Sequence, residues 1–165
     1  MTPLITERLD ELAHHIAAQL RARGETVAVA EGSAGGLISA TLLSVPGASA
    51  YFLGSTVVYT AQAHQAFIAG TVPTPAGMRG ATEVFAAYLA EAVGTRLAAT
   101  WGLGEAGAAG PANPYGDPAG HVWLGVHGPV TTTRHLLTGA DDRAANMVAF
   151  STAALELLAE AIGKA

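Results

Sequence analysis

The sequence contains no cysteine, which excludes disulfide bridges, thiolate nucleophiles and Cys-ligated zinc or iron–sulfur centres. Lysine is nearly absent as well: seven of the eight basic residues are arginine, and the single lysine is Lys164. Charge of either sign is thin, at 13% of residues against roughly 25% in average domains. The net charge of −5 comes with scattered bases, so neither a nucleic-acid partner nor an anionic membrane partner is expected. No run approaches the ~18 uninterrupted apolar residues of a membrane span. The opening MTPLITERLD lacks the basic-then-apolar order of a signal peptide, so the expected location is the cytoplasm.

What is present is apolar. Half of the 165 residues are hydrophobic and the mean hydropathy is +0.35, which excludes disorder and fits one domain over residues 1–165. Leu9, Leu12, Ile16 and Leu20 recur at helical spacing within about Pro3–Arg23, and Gly24 stops that helix. Thr26–Ala30 is a β-prone run followed by a glycine turn, Glu31–Gly36, and an apolar helix ended by Pro46-Gly47. A second strand is predicted at Leu53–Thr60 and a short helix at Ala61–Ile68. Thr82 is placed to cap a helix reaching Leu97. Ala98–Leu103 reads as a buried strand, residues 104–120 as a Gly/Pro-rich loop, and His121–His127 with Val130–Thr138 as a hairpin. The final helix spans Asp142–Ile162. Strands alternating with helices and closing on a hairpin predict a three-layer α/β domain with a mixed sheet of about five strands. Ligands in such sheets sit beyond the carboxyl ends of parallel strands, where Glu31–Gly36 falls.

At that turn, backbone amides and Ser33 can face a phosphate or carboxylate. The alternative is that Gly32, Gly35 and Gly36 permit a tight turn and close packing. The string matches neither a P-loop nor G-x-G-x-x-G. No metal site is expected from the six histidines: His121 and His127 lie roughly 20 Å apart on one strand, and His14 and His15 diverge around a helix. His64 begins a helix beside the same crevice as Ser33. A Ser33–His64 pair with Asp117 or Glu31 as orienting acid can be written down, although only geometry makes such a list a triad.

Thr26–Gly36 (TVAVAEGSAGG), Val45–Thr60 (VPGASAYFLGSTVVYT), Gly107–Pro111 (GAAGP), Pro118–Val122 (PAGHV) and Asp142-Arg143 together resemble, in order and spacing, the CinA C-terminal domain family. The resemblance runs from about residue 5 to 162, with a small insertion around Val72–Ala81. It implies a three-layer α/β/α sandwich and kinship with nicotinamide-nucleotide amidases, which convert the carboxamide of nicotinamide mononucleotide to the acid and release ammonia. In typical active members the first motif reads A-E-S-C-T-G-G with Ser as nucleophile; here Gly32 stands at that position and Ser33 follows. The family lysine of Y-S-N-E-A-K becomes His64 in Tyr59-Thr60-Ala61-Gln62-Ala63-His64. Ala106 replaces the Thr of T-G-I-A-G-P, and a later Lys-Pro becomes Asp117-Pro118.

With Gly32 at the family's nucleophile position, the candidate catalytic groups are Ser33, a hydroxyl one residue later, with Tyr59 and His64 of the second motif. Glu31, Gly35, Gly36, Thr60, Gly107, Gly110 and Arg143 follow as candidate ligand contacts, with no cofactor. The implied partner is nicotinamide mononucleotide or a related nucleotide. Three readings follow. The first is a domain that has lost ordinary amidase chemistry and keeps a nucleotide-sized crevice. The second is a divergent amide hydrolase that uses Ser33 with His64, an imidazole base suited to neutral pH. The third is a non-catalytic assembly module forming a homo-oligomer through its apolar surface.

Overall fold

The computed structural model describes residues 4–165. The predicted start of the first helix at Pro3 lies outside them. Helix α1 (Glu7–Arg23) is capped by the Thr6 hydroxyl, which accepts from Leu9 N–H at 3.3 Å, and ends where Gly24 adopts a left-handed φ of 63°. Its Leu9, Leu12, Ala13, Ile16, Ala17 and Leu20 are buried, the stripe that the periodicity predicts.

Five strands follow: β1 (Val27–Glu31), β2 (Phe52–Val57), β3 (Trp101–Ala108), β4 (His121–His127) and β5 (Thr132–Leu137). They form one mixed sheet in the order β2-β1-β3-β4-β5, with β1 parallel to β2 and β3, and the β3–β4–β5 pairs antiparallel. The helices α2 (Leu37–Leu43), α3 (Ala61–Phe67), α4 (Glu83–Leu97) and α5 (Arg143–Lys164) complete the chain. By length and composition α5 could cross a membrane, yet here Phe150, Leu155, Leu158 and Ile162 bury its apolar face in the core.

The two sheet faces differ in residue size. Val27, Val29, Trp101, Leu103, Val122 and Leu124 meet α1, α2 and α5 in the larger core. Ala28, Ala30 and Ala106 meet α4 and Ile68 in the smaller one. Helix α4 lies almost on the backbone of the sheet. A Cβ at Gly102 would fall 1.9 Å from the Ala90 carbonyl oxygen, and one at Gly104 would fall 2.2 Å from that of Ala86. This packing corrects the expected loop at 104–120. Strand β3 runs on to Ala108, and Gly102 and Gly104 are there to admit a helix rather than to bend the chain.

Candidate functional site

The carboxyl ends of β1 and β2 and the second half of β3 open on a cleft of about 440 Å³, within the usual range for small-molecule sites. Its wall includes Gly32 and Ser33 after β1, Tyr59, Thr60 and His64 after β2, and Glu105 and Gly107 on β3. Phe85 of α4 and Tyr115 add aromatic surface, while Met78–Ala81 lie across one side.

Glu105, placed in the expected loop by composition, is the charged centre of this site. It is fully buried. Its Oε2 accepts from Gly32 N–H at 2.9 Å and Ala34 N–H at 2.8 Å, and its Oε1 accepts the Ser33 hydroxyl. Burial pushes the carboxyl up to about 7; the Ser33, Ala34 and Gly32 hydrogen bonds oppose the rise and the nearby Glu31 charge adds to it. Gly107 leaves the room in which Ser33 sits, since a Cβ there would come within 2.9 Å of Ser33 Oγ.

The amides that sequence reasoning assigned to an external anion are held by internal carboxylates. Glu31, also fully buried, accepts from Ile38 N–H at 3.1 Å, Ser39 N–H at 3.0 Å and the Ser39 hydroxyl at the start of α2. Glu31 therefore anchors α2 instead of lining the cleft. Gly35 and Gly36 are likewise outside its wall and hold left-handed φ values of 66° and 101° at the turn into α2.

Ser33 and His64 share the cleft but make no hydrogen bond to each other. His64 Nε2 lies 3.0 Å from the Tyr88 hydroxyl, and the His64 ring packs against Phe85 and Tyr88. The acids available on paper for a triad are engaged elsewhere. Asp117 accepts two bonds from Arg79, at 2.9 and 3.1 Å, and one from Asn113 Nδ2 at 2.9 Å. The Arg79 and Asn113 hydrogen bonds hold Asp117 below the usual carboxylate range against a smaller desolvation effect.

Tyr59 and Thr60 line the cleft, and Thr60 also caps α3 by accepting from Ala63 N–H at 3.1 Å. Arg143, outside the wall, donates to the Tyr59 hydroxyl and to the Gly110 carbonyl, both at 2.7 Å. Gly110 is likewise outside the wall, and its backbone oxygen holds Arg143. Among the described residues, no three His, Asp or Glu side chains converge as a metal site would require.

Residues 9–162 match the CinA C-terminal domain family. The chain belongs to that family. A CinA-like protein of Anaeromyxobacter sp. is 37% identical over 155 residues, covering 92% of this chain and 37% of that protein. One of Acidobacterium capsulatum is 42% identical over 116 residues, covering 69% and 28%. This CinA-like chain thus spans about a third of the length of the curated relatives it matches. Among solved structures, a CinA superfamily protein of Klebsiella pneumoniae superimposes with a TM-score of 0.86 at 23% identity, covering 95% of this chain and 99% of that one. The competence/damage inducible protein CihA of Agrobacterium tumefaciens gives 0.82 at 26% identity, with 99% and 98% covered. The fold of this CinA-like chain is therefore that of the solved CinA structures, a three-layer α/β arrangement.

Proposed function

We propose that this CinA-like domain has lost the Ser–Lys amidase chemistry expected of its family and keeps a cleft for nicotinamide mononucleotide or a related nucleotide. The supporting observation is a single one: position 32, where the family's nucleophile stands, carries no side chain, and His64 at the family's lysine position is bonded to Tyr88 and not to Ser33. Amide hydrolysis needs an activated nucleophile, donors for the oxyanion and a proton for the departing ammonia. Removing the nucleophile and the lysine together disables the first requirement in the family's arrangement. Cleft volume and aromatic walls support retention of a flat, ring-bearing ligand.

Calorimetric titration with nicotinamide mononucleotide, alongside an ammonia assay, tests this reading. Saturable binding without ammonia release is expected. Robust turnover abolished by Ser33→Ala would overturn it, and so would the absence of binding by folded protein.

A further inference from the structure

We infer that Ser33 and Glu105 form a nucleophile–base pair able to take an acyl group from an activated aryl ester seated in the cleft. The inference deepens the reading of this cleft as a ligand site and rests on it. Its ground is geometric. Ser33 is 5% exposed and lies on the cleft wall beside Glu105, and its hydroxyl donates to Glu105 Oε1. Donating to a carboxylate raises the electron density on Ser33 Oγ, as activation of a hydroxyl nucleophile requires.

The acceptor is held in place by the chain itself. Gly32 N–H and Ala34 N–H fix Glu105 Oε2, so the other oxygen meets Ser33 without a side-chain search. A carboxyl pushed up to about 7 exchanges protons where a general base works best near neutral pH. The aromatic walls formed by Tyr59, Phe85 and Tyr115 suit a flat leaving group.

In the first step Ser33 Oγ bonds to the ester carbonyl carbon as its proton moves to Glu105 Oε1. The carbon–oxygen bond to the aryl group then breaks, and the departing phenolate takes that proton to leave as the phenol. Water releases the acid by the same route, with its proton passing through Glu105 and Ser33 Oγ regaining hydrogen. An alkyl fluorophosphonate stops after one half-cycle: the Ser33 oxygen–phosphorus bond forms, fluoride leaves and the proton passes from Glu105 to solvent.

The test uses the full chain with p-nitrophenyl acetate and an alkyl fluorophosphonate, with adducts located by peptide mass mapping. The expected adduct is on Ser33, and its rate of formation rises with pH through about 7. Glu105→Gln retains an oxygen for Gly32 and Ala34 but turns an amide donor toward Ser33. It should react at least about a hundredfold more slowly, without the pH step. An unchanged rate in that variant, an adduct on another residue, or no adduct in folded protein would overturn the pair. The wild-type pH profile and Ser33→Ala keep the test decisive if Glu105→Gln does not fold. Binding of nicotinamide mononucleotide without a Ser33 adduct defeats this inference alone. A Ser33 adduct without nucleotide binding supports the pair and defeats the ligand assignment.

Discussion

Glu31 and Glu105 are partners in register on the adjacent parallel strands β1 and β3, and both are fully buried. Each carboxylate is matched to its own donors: Glu31 to the first amides of α2, Glu105 to the turn that precedes them. Two neighbouring buried acids are tolerated because backbone N–H groups satisfy them, yet burial, with a smaller contribution from the Glu31 charge, still raises the proton affinity of Glu105.

That rise has a defined sign in stability. A carboxyl whose folded pKa exceeds its unfolded value gives a contribution that is complete below the unfolded value of 4.5 and is lost as pH climbs toward about 7. Thermal or urea unfolding from pH 4.5 to 7.5 should therefore show a falling component on the order of 3 kcal/mol, absent in Glu105→Gln. Parallel pH profiles for the two proteins would contradict the assignment.

Gly32→Ser should fold. A Cβ at this position meets the carbonyl oxygens of Glu105 and Val58 at 3.4 Å, ordinary contact distances. We expect a Tm within about 3 °C of wild type, as for an unstrained substitution. No ammonia should be released from nicotinamide mononucleotide, since His64 is engaged with Tyr88. Ammonia release by this single variant would show that only the attacking hydroxyl had been missing.

Gly104→Ala should be severely destabilising. The added carbon would overlap the Ala86 carbonyl oxygen at 2.2 Å, and neither backbone can yield without separating α4 from β3. A loss of about 3 kcal/mol or more, or failure to fold, is expected in chemical denaturation. A near-neutral result would contradict the close packing of α4.

Asp117→Ala should loosen one side of the cleft. It removes the Arg79 pair and the Asn113 contact while leaving the core intact. Because Arg79 is partly exposed, the stability cost should be modest, about 1 kcal/mol. Amide hydrogen exchange should quicken at residues 78–81 and 113–117, with the helices unchanged. Uniform exchange across the chain, or none at all, would argue against a local tether.

The fold was legible wherever local chemistry decides it. Thr82 caps α4 as its position predicts, His121–His127 is a strand over its full expected length, and the stripe from Leu9 to Leu20 is buried. Glu105 was hidden because Gly102, Gly104 and Gly107 give its strand the composition of a loop. Their purpose appears only when α4 and Ser33 occupy the space they leave. The spacing Tyr59–His64 brought both residues to the cleft, but the preference of His64 for Tyr88 arises between distant segments that no local pattern connects. The glycine turn suggested amides facing a bound anion; that those amides are taken by Glu31 and Glu105 of the chain itself follows only from the pairing of β1 with β3.

Proton NMR of nicotinamide mononucleotide incubated with the purified protein examines cleft and chemistry in one tube. Saturation transfer to the nicotinamide protons, with their resonances undiminished over hours, is the predicted result. Growth of nicotinate mononucleotide signals at a rate proportional to protein concentration would contradict the account, as would saturation transfer that fails to appear.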